Sequence, residues 1–159
     1  MRVWLNQNAR KYANFLRMMA ENALRVSPPI GRIRDFVLDQ DDSIDLKIFG
    51  ARLFVDAARI FALRAEVASS STAQRLREAG QRMGVQPDEL GAIIDGFHFI
   101  QMLRLRAQHP DLQRESGASS LGDNRVRPDA LNELDRRILK EAFRQARKLQ
   151  LRLKLDYQL

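Results

Sequence analysis

Four charged residues lie at helical spacing and could contact an anionic substrate. At about 100° of rotation per residue they fall within a narrow sector, which we call the charged seam: Asp45, Arg52, Asp56 and Arg59. Arg52 and Asp56 are an i,i+4 pair, and Asp56 and Arg59 are an i,i+3 pair, so both pairs are close enough to interact. We expect Arg59, together with Arg104 and Arg106 further along the chain, to contact phosphate or carboxylate groups, with Asp45 and Asp56 orienting these arginines through ion pairs.

The stretch that carries the charged seam, residues 44–66, is apolar on nearly every other side. Its length and its lack of proline predict one helix, and a helix that is apolar almost all round is normally buried. Asp42 or Ser43 is well placed to cap its N-terminus. We therefore predict a central helix with one main buried stripe, formed by Leu46, Phe49, Leu53, Ala57 and Ile60.

A second polar group follows the apolar face of a later helix, predicted over residues 87–107. Gln101, Arg104 and Gln108 continue the line of apolar side chains that begins at Leu90. Polar groups on a core-facing stripe must find partners or line a cavity. Two interpretations stay open: the side chains line a groove, or the end of the helix simply reaches the solvent.

No residue pattern indicates catalysis or metal binding. His98 and His109 stand in different settings without an acid or thiol at ligand spacing, and the sequence has no Gly-x-Ser-x-Gly turn or phosphate-binding loop. Asp39-Gln40-Asp41 matches the Asp-x-Asp of two-metal nucleotidyl transfer, but it lacks the accompanying strand and Gly-Ser turn. We interpret it as a solvated cluster that caps the central helix, and we predict no catalytic residue, metal or cofactor.

Composition indicates a single soluble globular domain of 159 residues, with 45% hydrophobic and 30% charged residues. The net charge of +7 favours an anionic partner, although a merely solvated basic surface explains it equally well. The sequence has no cysteine, and it has no apolar run long enough to span a bilayer and no signal peptide. We expect no membrane association and a cytoplasmic location.

Hydrophobic periodicity predicts an all-α protein, an up-and-down bundle of four long helices and one short helix. The predicted parts are an N-terminal helix over residues 1–26, a connector over 27–43 and a bundle core over 44–159. Within the core, Ser71 and Gln74 form a capping-box pattern that starts the short helix, residues 72–83. The last helix is predicted over residues 128–157, with its apolar line formed by Leu131, Leu134, Ile138, Ala142, Ala146, Leu149 and Leu153.

Five segments in this order resemble one known family: GRIRDF, IDLKIFGARLFVDAARIFAL, STAQRLREAG, a helix ending in RLRAQ, and NRVRPDALNELDRRILKEAFRQARKLQ. The family is the putative nucleotidyltransferase substrate-binding domain at the C-terminus of bacterial signal-transduction proteins. Those proteins carry CBS-pair or cyclic-nucleotide-binding-like sensor domains and a catalytic domain similar to that of protein-PII uridylyltransferases. The resemblance covers about residues 31–155.

The resemblance implies a non-catalytic domain that packs beside a nucleotidyltransferase catalytic domain, in the same polypeptide or a separate subunit, and positions its substrate. That substrate would be a nucleotide or an acidic acceptor protein. Nucleoside triphosphate and Mg²⁺ would bind only at the catalytic domain, whose motifs are not found in this chain, so we expect this chain to be inert alone. The matched segments contain these candidate substrate-binding residues: Asp45, Lys47, Arg59, Thr72, Arg75, Arg106, Gln108, Arg137 and Lys140.

Two alternatives from other functional classes stay open. The positive charge of the last helix would suit a nucleic-acid-binding module. However, acidic residues interrupt its basic face and no aromatic residues are interleaved for base stacking, so nucleic acid is the less favoured partner. The other alternative is a structural module whose apolar faces dock a partner domain or a second copy of the chain, giving a homodimer.

Overall fold

Five α-helices and one short β-ribbon form the described part of this computed structural model, residues 13–31, 36–109 and 124–159. The helices are α1 (Ala13–Ala23), α2 (Arg52–Arg64), α3 (Thr72–Arg82), α4 (Pro87–Gln108) and α5 (Glu133–Tyr157). A π-helix (Lys47–Ala51) leads into α2, and a 3-10 turn (Pro128–Ala130) precedes α5. The ribbon pairs β1 (Ile44–Asp45) with β2 (Arg125–Val126) in antiparallel register. The predicted all-α class is confirmed.

The helices α1, α2, α4 and α5 alternate in direction. The end of α4 contacts the start of α5 through Arg106 and Asp135, whereas α2 and α5 run the same way, so that Arg64 meets Asp156. The side chain of Gln150 on α5 reaches the carbonyl of Ala23 at the end of α1. Short α3 packs between α2 and α4. This is the arrangement expected of an up-and-down bundle.

The start of the central helix differs from the prediction. Residues 44–66 do not form one helix, because Ile44 and Asp45 belong to β1 and the helical ladder begins only in the π-helix. Asp45 accepts hydrogen bonds from the backbone N–H of Lys47 at 2.8 Å and Ile48 at 3.0 Å, so it supplies the cap that we assigned to Asp42 or Ser43. The partner strand lies about 80 residues further along the chain, where local periodicity carries no information about it.

The buried side of α2 largely confirms the predicted stripe. Leu46, Leu53, Ala57 and Ile60 are fully or almost fully buried, while Phe49 is only partly covered. Phe54 packs against Phe97 of α4 with a ring-centroid separation of 5.9 Å. The core therefore forms where α2 crosses α4 and α5.

The apolar line of α5 was predicted wrongly at its start. Leu134 and Ile138 are exposed, and the buried line consists of Leu139, Ala142, Phe143, Ala146, Leu149 and Leu153. The α-helix begins at Glu133, where Asn132 caps it by accepting from the N–H of Asp135 at 2.8 Å. Leu134 and Ile138 lie on the outward side of α5, whereas Asp135 of the same first turn faces Arg106 at the end of α4. Phe15 on α1 is likewise exposed, whereas Leu16 and Ala20 are buried.

Side chains satisfy backbone groups at the start of α3 and just after the end of α1. Ser71 accepts from the N–H of Gln74 at 3.4 Å, which confirms the predicted start of α3, and Gly84 has a positive φ of 72° just after its end. Gln150 donates to the carbonyl of Val26 at 2.6 Å, so a buried amide satisfies the end of α1. The predicted first turns of the N-terminal helix lie outside the described residues.

Candidate functional site

Asn124 joins three polar side chains at the C-terminal end of α4. Its Oδ1 accepts from Arg104 Nε at 2.9 Å and from Gln108 Nε2 at 3.4 Å. Arg104 Nη1 also donates to Gln101 Oε1 at 2.7 Å. We call Gln101, Arg104, Gln108 and Asn124 the Asn124 cluster. These side chains hold one another rather than simply facing solvent.

The ribbon places the start of the π-helix next to this cluster. The N–H of Leu46 donates to the backbone carbonyl of Asn124 at 2.9 Å, immediately before the residues of β2. Lys47, the next residue, is exposed at the N-terminus of the π-helix. The structure thus brings together Asp45 and Lys47 from one predicted group with Gln101, Arg104 and Gln108 from another.

Asp45 does not orient the arginines of the charged seam. Its Oδ1 accepts backbone N–H groups of the π-helix, and this prediction is therefore wrong. Asp56 does take that role, contacting Arg52 Nε at 3.3 Å and Arg59 Nη1 at 3.8 Å. The side chains of Arg52 and Arg59 are about half exposed, so the seam runs along the surface of α2 and not through the apolar interior.

Arg106 lies two residues beyond Arg104 and faces α5. Its Nη1 contacts Asp135 Oδ2 at 3.1 Å, an ion pair that joins the end of α4 to the start of α5. One turn into α5, Arg137 pairs with Glu133, and the Lys140 ammonium lies 5.2 Å from the centre of the Phe36 ring. These three cations lie where the end of α4 meets the first turns of α5.

Arg75 occupies a different setting. It lies on α3, and its Nε donates to the carbonyl of Ser69 at 2.7 Å, holding the helix to the preceding loop. Thr72 is the first residue of the same helix. The role of Arg75 that these contacts support is structural.

The Asp39–Asp41 cluster does not cap the central helix as predicted. Arg125 contacts both carboxylates, and its Nε donates to the hydroxyl of buried Ser43 at 2.7 Å. The Ser43 hydroxyl in turn donates to Asp41 at 2.7 Å, and this hydrogen bond, with a contribution from Arg125, lowers the pKa of Asp41. Hydrogen bonding to Asp39 raises the pKa of Arg125. We call these residues the Arg125 latch.

Sequence reasoning missed Asn124 and Arg125. Both stand at the start of the segment NRVRPDAL, which the family resemblance included, but no local pattern marks a lone Asn as the centre of a cluster. Their partners lie 16 and more residues away along the chain. The β1–β2 pairing places these residues beside the start of the π-helix, and β2 also contacts α4.

The basic face of α5 is interrupted by intrahelical ion pairs. Its exposed arginines pair three or four residues away as Arg137–Glu133, Arg144–Glu141 and Arg152–Asp156. An arginine already paired with a carboxylate releases fewer counterions on contact with a phosphate backbone. The nucleic-acid alternative therefore gains no support from this helix.

The described residues contain neither a metal-binding group nor a membrane-spanning helix. Across 13–31, 36–109 and 124–159, no group of three or more His, Cys, Asp or Glu side chains is arranged to hold a metal ion. Over the same residues, no helix has both the length and the apolar character that crossing a membrane requires.

One comparison with known proteins gives a match. A family model described as "Putative nucleotidyltransferase substrate binding domain" matches residues 13–157. No curated protein and no solved structure matches the chain. The family match spans every element described above, including the Asn124 cluster and the Arg125 latch.

Proposed function

The chain belongs to the family of putative nucleotidyltransferase substrate-binding domains, and from this membership we propose that it holds an anionic substrate beside a nucleotidyltransferase catalytic domain without carrying out the transfer itself. The catalytic domain is the implied partner, in the same polypeptide or a separate subunit. Nucleoside triphosphate and Mg²⁺ chemistry would belong to that partner. The signal-transduction setting and the cytoplasmic location stay predictions.

The Asn124 cluster is the observation that carries this proposal. Arg104 is held at two points, by Asn124 through Nε and by Gln101 through Nη1. A guanidinium has five N–H donors in a fixed plane, so these two bonds orient the group and leave donors for a ligand. An arginine that is oriented before binding loses less conformational entropy when it captures a phosphate or carboxylate.

Other cations are candidates for further contacts to the substrate. Lys47 is exposed at the start of the π-helix, and Arg106 is fixed by Asp135 at the end of α4. Arg59 also remains a candidate, although its only described partner, Asp56, is 3.8 Å away, so we rank Arg104 ahead of it. A nucleotide triphosphate, or an acidic segment of an acceptor protein, carries the charge that these groups would attract.

Titration of the ¹⁵N-labelled chain with ATP, GTP, CTP and UTP tests the proposal. The side-chain amides of Gln101, Gln108 and Asn124 give their own NMR signals, so they report on the cluster directly. We expect at least one nucleotide to shift these signals, and Arg104→Ala to weaken that binding by about tenfold or more.

The matched control is Arg144→Ala, which removes an exposed arginine of α5 that pairs with Glu141, away from the cluster. It should leave nucleotide binding unchanged. Thermal unfolding of both variants checks that each is folded. An unchanged affinity in the folded Arg104→Ala variant, or nucleotide-dependent shifts confined to other parts of the bundle, would contradict the assignment of the site.

A further inference from the structure

Three arginines from three helices meet at the end of the bundle opposite the Asn124 cluster. Arg64 is the last residue of α2, Arg82 is the last residue of α3, and Arg152 lies near the end of α5. They line a cleft of about 380 Å³, which we call the arginine cleft. Asp135 at one end of α5 and Arg152 near the other are separated by about 25 Å at about 1.5 Å per residue, so the two sites are well apart.

One carboxylate orients two of the three arginines of this cleft. Asp156, whose side chain is only 13% exposed, contacts Arg64 Nη1 at 2.5 Å and Arg152 Nε at 3.3 Å. The two arginine side chains are 43% and 46% exposed, so the shared carboxylate is covered while both guanidinium groups reach solvent. This geometry fixes two planar cations side by side at the cleft.

Arg82 completes the cleft and offsets the negative end of α2. Its Nη1 donates to the carbonyl of Ala65 at 2.6 Å and to that of Glu66 at 3.2 Å. Carbonyls at a helix C-terminus carry partial negative charge that would repel an anion, and here a guanidinium covers them. Against the two carboxylates of Glu66 and Asp156, the three arginines leave an excess of one formal positive charge at the cleft.

An apolar slot opens beside the arginine cleft. It has a volume of about 60 Å³, and Met83 and Arg152 line both spaces. Phe61, Leu90 and Leu149 supply apolar walls, and Gly80 leaves room because it has no side chain. A benzene-sized cavity is about 150 Å³, so this slot fits only a compact aliphatic group.

We propose that the arginine cleft and the adjoining slot bind a small phosphomonoester whose organic part is a short aliphatic group. A carboxylate is satisfied by one arginine fork, whereas the three terminal oxygens and the double charge of a phosphate suit several guanidinium groups at once. This site is independent of the proposed function, since it shares no residue with the Asn124 cluster. Its ligand would reach the domain from the opposite side.

Binding of n-propyl phosphate, n-butyrate and inorganic phosphate to the complete chain tests this site by NMR. We expect n-propyl phosphate to shift the backbone signals of residues 64–66, 82–83 and 152, with an affinity about tenfold above that of n-butyrate. The double variant Arg64→Gln and Arg152→Gln should lose at least about tenfold in affinity. Arg144→Gln is the matched control on α5 and should bind like the parent chain.

Gly80→Ala tests the slot separately. The added Cβ would lie 2.8 Å from Leu90 Cδ1 and push that flexible side chain into the slot. We expect the variant to keep its affinity for inorganic phosphate and to lose the preference for n-propyl phosphate. No shift at the cleft residues at millimolar ligand, equal affinity of the folded double variant, or shifts only at the Asn124 cluster would overturn the proposal.

Discussion

Among single residues, Ser43 connects Asp41 to Arg125 within the Arg125 latch. It is fully buried, it donates to Asp41, and it accepts from Arg125, so one hydroxyl links the connector to β2. A buried hydroxyl with both functions satisfied is stabilising, whereas one left with an unpaired function costs about 1–3 kcal/mol. The latch therefore fixes the position of the connector against the ribbon.

Replacing Asp41 should reveal the latch through the pH dependence of stability. The pKa of Asp41 lies below its ordinary value of 3.8, mainly because the Ser43 hydroxyl donates to it. A lowered folded-state pKa means that the carboxylate stabilises the fold above pH 4 and that this contribution is lost as the pH falls through the folded-state pKa. We expect Asp41→Asn to be less stable than the parent at pH 7, with the difference shrinking below about pH 4.

The measurement is urea unfolding of both chains across this pH range. Asp42→Asn is the matched neighbour, because Asp42 is exposed and has a positive φ of 57° that asparagine adopts readily. It should unfold like the parent. A deficit for Asp41→Asn that stays constant down to the lowest pH would show that the ionised carboxylate is not what stabilises the latch.

The elements were easier to predict than the site because their signals are local. Ser71 with Gln74, and Pro87 at the start of α4, mark helix ends within a few residues, and the structure confirms both. The start of α2 could not be predicted this way, since Ile44 pairs with Val126 and a strand of two residues has no periodicity. The Asn124 cluster depends on the same distant pairing.

Replacing two glycines of α4 can distinguish the effect of helix propensity on stability from the effect of packing. At Gly91 an added Cβ would meet nothing within 4 Å, whereas at Gly96 it would lie 3.2 Å from the Ala142 Cα of α5. We expect Gly91→Ala to raise the free energy of unfolding by about 0.5–1 kcal/mol, because alanine restricts the unfolded chain. Gly96→Ala should lower it by about 1–3 kcal/mol, because the α5 backbone must move away.

Chemical denaturation of the two variants checks this pair, with the parent chain as reference. Both variants replace a glycine of α4 by alanine and change its helix propensity alike. The difference between their free energies of unfolding therefore isolates the contact of residue 96 with α5. Equal stabilities would mean that α4 and α5 do not approach closely at Gly96.

At the scale of the whole molecule, groups of arginine side chains lie at the two opposite ends of α5. One end carries the Asn124 cluster beside the ribbon, and the other carries the arginine cleft at the end of α2. Composition predicts an anionic partner from the net charge of +7 but cannot place it. The position of an anion-binding site depends on the directions of the helices, because these decide whether Arg104 and Arg152 lie at the same end of the bundle or at opposite ends.

The ribbon also has a consequence for how the chain folds. The contacts between α2, α3 and α4 join neighbours in sequence, while β1 and β2 close a loop of about 80 residues. Local contacts form early because little entropy is lost, so the ribbon should pair after the helical hairpins have shortened the effective loop. Val126→Ala should then speed unfolding and leave the folding rate nearly unchanged, with a φ-value of about 0–0.3 in stopped-flow kinetics.

A φ-value near one would instead put the ribbon in the folding nucleus. If the ribbon forms last, it also opens first. The amide proton of Leu46 would then exchange faster than those inside α4 and α5, because it is bonded to the carbonyl of Asn124 beside the ribbon.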